Sequence, residues 1–147
     1  MERLLERYSP YLYATMRVVV GFLFACHGAQ KLFAVLGGVG RTGAAAPLFS
    51  LMWFAGVVEL TAGLLVMVGW FTKYVAFVAS GEMAFAYFMV HARKGFWPIL
   101  NGGELAVLYC FIFLFIAAHG ARVCSLDTLL ERSRSVGPLR RMRTGAL

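Results

Sequence analysis

Three ionisable side chains, Arg17, Glu59 and Glu82, stand inside stretches that are otherwise apolar. A charge at the centre of a hydrocarbon layer costs about 2.5–3.5 kcal/mol on insertion scales, so such groups turn inward and find partners. On a helix, the neighbours of Glu59 at i±3 and i±4 are Ala55, Gly56, Ala62 and Gly63. Residues this small let a second helix come close, which puts the carboxylate at a helix–helix contact. Glu82 sits likewise between Ala79 and Ala86, at a similar depth. From Arg17 one stripe runs through Gly21, Phe24, Gly28 and Lys31, and a snorkelling Arg17 can reach the level of either carboxylate. Two kinds of chemistry are open to this set: a structural ion pair of Arg17 with Glu59 or Glu82 that locks the helices, or a proton relay.

A second polar group gathers toward one end of the apolar stretches. His27 and Lys31 are four residues apart, and Tyr87 and His91 repeat that spacing ahead of Arg93, Lys94, Trp97, Pro98, Asn101 and Glu104. Together they suggest a polar mouth over an apolar cavity. His91, Glu104 and Glu59 are the candidates for proton exchange; His27, Lys31, Trp97 and Asn101 are the candidates for holding a cofactor head group. Each also has a structural reading: Trp97 in an interfacial belt, Asn101 as a turn or cap, Glu104 as a first-turn carboxylate, Lys31 as a snorkelling flank. Two histidines raise the question of b-type haem. Their depths differ by roughly 13 Å at 1.5 Å per residue, and His119 lies near the opposite end, so haem is not expected. Cys26, Cys110 and Cys124 form no CxxC and no metal-ligand spacing; they read as small core thiols, and no metal site is expected.

The elements that must hold these groups follow from composition. The chain has 147 residues, 61% hydrophobic and 14% charged, with a mean hydropathy of +0.74. That excludes a disordered chain and argues against a water-soluble globule. At about 20 residues per crossing of a layer roughly 30 Å thick, residues 11–122 predict four spans, at about 11–36, 48–69, 71–92 and 103–123. A basic tail, residues 123–147, follows. Gly37-Gly38, Gly69-Trp70, Pro98 and Asn101-Gly102-Gly103 punctuate the boundaries, and the spans must be helical because lipid leaves backbone groups unsatisfied. The expected fold is an all-α integral membrane four-helix bundle. Arg3, Arg7, Lys73, Arg122, Arg132, Arg134, Arg140, Arg141 and Arg143 then share one face, against Arg41, Arg93 and Lys94 on the other. This positive-inside bias places both termini in the cytoplasm. The surplus of basic residues reads as topology and anionic-lipid contact, with no nucleic-acid partner expected. A competing outline, Leu23-Phe24-Ala25-Cys26 as a lipoprotein signal, conflicts with the bulk of Phe24 and with an apolar run that continues to Leu36.

Three blocks occur in order: Arg17-x3-Gly21-x5-His27-Gly28-x2-Lys31-Leu32, then Gly56-x2-Glu59-x3-Gly63-x5-Gly69, then His91-x3-Gly95-Phe96-x-Pro98-x2-Asn101-Gly102-Gly103-Glu104. With Ser125-Leu126-Asp127 after the last span, the chain resembles the DoxX family of small bacterial membrane proteins over residues 13–127. The resemblance implies a four-helix inner-membrane protein linked to oxidoreductases, one branch being similar to the membrane part of thiosulfate:quinone oxidoreductase. Arg17, His27, Lys31, Glu59, His91, Asn101 and Glu104 are the family-like positions; Glu82 lies outside the pattern. The expected function is a quinone-interacting subunit of a membrane oxidoreductase system. The alternative is a scaffold that recruits soluble redox-stress enzymes through the tail or the Arg93–Asn101 loop, with an oligomer compatible with either. A small proton-coupled transporter fits less well, since exporters of this size place a glutamate in the first span, where this chain has Arg17.

Overall fold

A computed structural model describes residues 2–40 and 42–141, with side chains described over 5–40 and 42–133. Arg41 and the side chains of Arg3, Arg134, Arg140, Arg141 and Arg143, on which part of the charge bias rests, lie outside the described residues. The fold is all-helical: α1 (Glu2–Phe33), α2 (Leu51–Val68), α3 (Thr72–Ala86), α4 (Pro98–Asn101), α5 (Glu104–His119) and α6 (Leu126–Arg141). Helix α3 runs on through a π-turn, Tyr87–His91, and a tight 3-10 turn, Ala92–Lys94. Three segments are long and apolar enough to cross a membrane, Leu5–Phe33, Leu51–Val68 and Thr72–Lys94; Glu104–His119 is apolar but shorter.

The boundaries follow local chemistry. Helix α1 starts well before the expected residue 11 and runs through Pro10, because the residues ahead of it (Glu2, Leu4, Leu5, Glu6, Arg7) are good helix formers. Ser50 caps α2 by accepting from the Trp53 N–H at 3.2 Å. Gly69, at φ 74°, closes the other end with its N–H on Leu65. Helix α5 stops at His119, short of the expected residue 123, because Gly120 turns the chain at φ 74°. The basic tail expected over 123–147 holds α6, whose first turn is capped by the Ser125 hydroxyl accepting from the Thr128 N–H at 3.2 Å.

Helices α1 and α2 pack antiparallel through glycine. A Cβ on Gly21 would lie 2.7 Å from the Gly63 carbonyl oxygen, and one on Gly28 would lie 2.3 Å from the Leu60 nitrogen. No side chain fits there, so backbone meets backbone, the contact that small residues permit between membrane helices. The core is shared by four helices: Val20 and Phe24 from α1, Ala62 and Val66 from α2, Ala76, Ala79 and Met83 from α3, and Ala106, Tyr109, Phe113 and Ile116 from α5. Phe24 meets Phe113 edge-on at 4.6 Å between ring centroids, tying α1 to α5. Large apolar side chains such as Phe22, Phe54, Phe77, Val78, Leu108 and Phe111 point outward, as lipid contact requires.

Candidate functional site

The close α1–α2 contact builds an ion pair. Lys31, in the last turn of α1, pairs with one carboxylate oxygen of Glu59, which is 2% exposed at the middle of α2. A Cβ on Gly56, one turn before Glu59, would lie 2.9 Å from the Lys31 Cβ. The missing side chain at Gly56 is therefore what lets the lysine stem lie against α2. The second Glu59 oxygen, Oε2, is buried and has no hydrogen-bond partner. One turn before Lys31, the His27 ring stands edge-on to Tyr109 of α5 at 6.1 Å, and it lies within electrostatic range of Glu59. Glu82 of α3 also buries an unpartnered Oε2, with Glu59 and Lys31 as the charges acting on it. Four helices thus contribute to one intramembrane polar cluster: Lys31 and His27, Glu59, Glu82 and Tyr109. Such a set can hold protons at two carboxyls and offer ammonium, imidazole and phenol donors to a carbonyl oxygen.

Arg17 does not join it. Its guanidinium is fully buried and donates from Nη1 to the carbonyls of Val66 (2.5 Å) and Met67 (2.9 Å), and from Nη2 to Cys124 (2.7 Å). The expected Arg17–Glu59 or Arg17–Glu82 pair is therefore corrected: Arg17 caps the C-terminus of α2, where the helix dipole favours a cation, and Lys31 takes the carboxylate. The cause is register. With Gly21 facing Gly63 and Gly28 near Gly56, Arg17 falls at the level of Met67, far along α2 from Glu59. Beside it, the Asp127 carboxylate accepts from the N–H groups of Phe71 (2.9 Å) and Thr72 (3.0 Å) and from the Thr72 hydroxyl (2.9 Å), capping α3. The end of the bundle that carries α6 is thus locked by side chains on backbone.

At the opposite end, His91, Tyr87 and Asn101 come together as a knot. The Asn101 amide donates to the Gly95 carbonyl (2.7 Å) and to the Tyr87 hydroxyl (3.4 Å), and its oxygen accepts from the Gly103 N–H (2.7 Å). His91 Nδ1 meets the Asn101 carbonyl at 3.2 Å, its ring stacks on Tyr87, and the Tyr87 hydroxyl donates to Phe96. The π-turn sets this up by bringing Tyr87 and His91 onto one face above Gly103. Trp97 is 63% exposed and leans on Phe96, while Glu104 is exposed in the first turn of α5. Among the described residues no hydrogen bond or ion pair joins this knot to Lys31, His27 or Glu59. The expected single mouth is therefore two separate structures: a loop staple of His91 and Asn101, and the cluster around Lys31 and Glu59. Sequence reasoning missed the Lys31–Glu59 pairing, Tyr109 and Asp127; the glycines spaced alike on α1 and α2 carry the signal for the first.

No solved structure matches the chain. An uncharacterized protein of Haemophilus influenzae is 43% identical over 130 residues, covering 84% of this chain and 93% of that protein. Another from the same organism is 30% identical over 74 residues, about half of each chain. The DoxX family model matches residues 12–92, which hold the glycine contact, the Lys31–Glu59 pair, Glu82 and the π-turn. A chain of apolar helices, packed through glycine around buried charge and matched by that model over more than half its length, belongs to the DoxX family of membrane proteins.

Proposed function

We propose that this protein is a four-crossing protein of the bacterial inner membrane, a quinone-interacting subunit of a membrane oxidoreductase system, with the Lys31–Glu59 cluster as its site. The observation that carries the reading is the pair of buried, unpartnered carboxylate oxygens, Glu59 Oε2 and Glu82 Oε2, beside one ammonium group. Unpaired buried polar atoms are costly, and here donors from two other helices, Lys31 and His27 of α1 and Tyr109 of α5, belong to the same cluster. With both carboxyls ionised the cluster carries one negative charge in excess of Lys31; one bound proton removes it. A quinone, when bound, supplies a two-electron, two-proton couple. Lys31, His27 and Tyr109 would hold its carbonyl oxygens, and Glu59 and Glu82 would keep protons within reach. Helix α5 supports the fourth crossing: 16 residues span about 24 Å, its inner face joins the core, and Leu105, Leu108, Phe111, Leu114 and Phe115 face outward. Both ends of the chain then share the face bearing Arg7, Lys73, Arg122 and Arg132, the cytoplasmic one.

The test is quinone retention. Protein purified in nanodiscs is extracted and its lipid-soluble redox compounds are quantified, alongside variants Glu82→Gln and Lys31→Met. The parent retains a quinone and Lys31→Met loses it; a parent free of quinone after reconstitution with one overturns the reading. A second reading, a scaffold for a soluble redox enzyme, is favoured by the loop between Arg93 and Asn101, where Phe96, Trp97, Ile99 and Leu100 are all exposed. In that case deleting the loop abolishes co-purification of the partner while substitutions in the cluster leave it intact.

A further inference from the structure

At the end of the bundle where α2 and α5 stop and α3 begins, a cavity of about 970 Å³ opens between the start of α3, the α5–α6 link and the first turns of α6. Trp70 and Tyr74 line it, aromatics of the kind that mark the membrane–water boundary. Lys73 and Arg122 line it too, and neither takes part in an ion pair among the described residues. Their placement is built. The Lys73 stem crosses Gly120, where a Cβ would lie 2.9 Å from Lys73 Cε. Arg122 is held at φ 53° while its carbonyl accepts from the hydroxyls of Ser125 and Thr128. Phe71, on the same rim, stands at φ 49°. Two non-glycine residues in the left-handed region on one cavity are strain that the fold retains.

The acidic residues on the wall are not equivalent. Asp127 is consumed by its three hydrogen bonds to α3, whereas Glu131 on α6 makes none of these. The lining therefore presents two unpaired cations and one available carboxylate at the depth of lipid headgroups. We infer that this cavity binds the headgroup of a membrane phospholipid, its phosphodiester on Lys73 and Arg122 and the ammonium of an ethanolamine group on Glu131. Basic pockets between membrane helices are suited to such headgroups; the added carboxylate selects a zwitterion over a purely anionic one. A free phosphate in solution satisfies only the first half of the site.

Native mass spectrometry of the detergent-purified protein reads this directly. The probes are phosphatidylethanolamine and phosphatidylglycerol with identical acyl chains, each titrated alone and in the presence of inorganic phosphate. The parent retains phosphatidylethanolamine preferentially. The double variant K73Q/R122Q retains it roughly tenfold less; the charge-preserving K73R/R122K retains it like the parent, which separates loss of charge from loss of fold. E131Q erases the preference between the two lipids. Equal retention by K73Q/R122Q and the parent overturns the site. Displacement of the lipid by millimolar phosphate overturns the lipid assignment, and preference of the parent for phosphatidylglycerol overturns the role of Glu131.

Discussion

Lys31 reaches Glu59 across a helix contact that exists because Gly28 and Gly56 carry no side chain. The ion pair and the backbone approach are one feature, and each can be broken separately.

Gly28→Val tests the approach. Its new Cβ would lie 2.3 Å from the Leu60 nitrogen, which is backbone and cannot give way. Separation of α1 and α2 is expected to cost about 1–3 kcal/mol or more. The midpoint of thermal unfolding in detergent should fall, and a cysteine placed at Leu60 should become more reactive.

Lys31→Met tests the pair. It leaves a carboxylate buried without its cation, a loss of about 3–5 kcal/mol. Lys31→Met combined with Glu59→Met removes both charges and should recover most of that stability, a non-additivity read from a double-mutant cycle. Additive losses would show that the two side chains are not coupled.

Arg17→Lys looks conservative but should not be. A planar fork bridges Val66 and Met67 on one side and Cys124 on the other. A single ammonium reaches one set only, leaving buried carbonyls at about 1–3 kcal/mol. Arg17→Lys is therefore expected to unfold at nearly as low a temperature as Arg17→Met, with unchanged quinone content in whatever fraction stays folded.

His91→Ala and Asn101→Ala separate the loop staple from the cluster. Asn101→Ala removes three hydrogen bonds and should destabilise by about 1–3 kcal/mol, raising proteolysis between Arg93 and Asn101. His91→Ala should be milder. Neither should alter quinone-dependent electron flow, whereas Glu59→Gln should. Loss of flow in His91→Ala at unchanged stability would return His91 to the chemistry.

Asp127→Ala removes a cap from α3. The expected loss is about 0.5–2 kcal/mol, seen as faster amide hydrogen exchange at Phe71 and Thr72.

The apolar segments and the inward face of Glu59 are legible in the sequence, because small residues on one helical face have few other meanings inside a membrane. The register is legible as well: Gly21 and Gly28 match Gly63 and Gly56 when the helices run antiparallel, and that alignment already carries Arg17 to Met67. Opposite formal charge draws attention to Arg17 and Glu59 first, yet the two Nη groups of a buried guanidinium find acceptors equally well in backbone carbonyls at a helix end. The staple is less legible. Its geometry depends on a π-turn, and nothing in Tyr87–His91 distinguishes that from one more α-turn. Asp127 is hidden for another reason: its partners lie 55 and 56 residues away, and only the start of α6 brings them near.

The wide turn between Tyr87 and His91 makes chain length itself a structural variable. Removing any one residue there would restore ordinary helical winding, at little cost to the helix. A π-turn winds one more residue than an α-turn into nearly the same sweep, so losing Phe88, Met89 or Val90 would leave Tyr87 and His91 on one face, with the aromatic loop still directed at its Asn101 anchor. A one-codon deletion at these three positions is therefore expected to cost less than Asn101→Ala, which cuts the anchor directly.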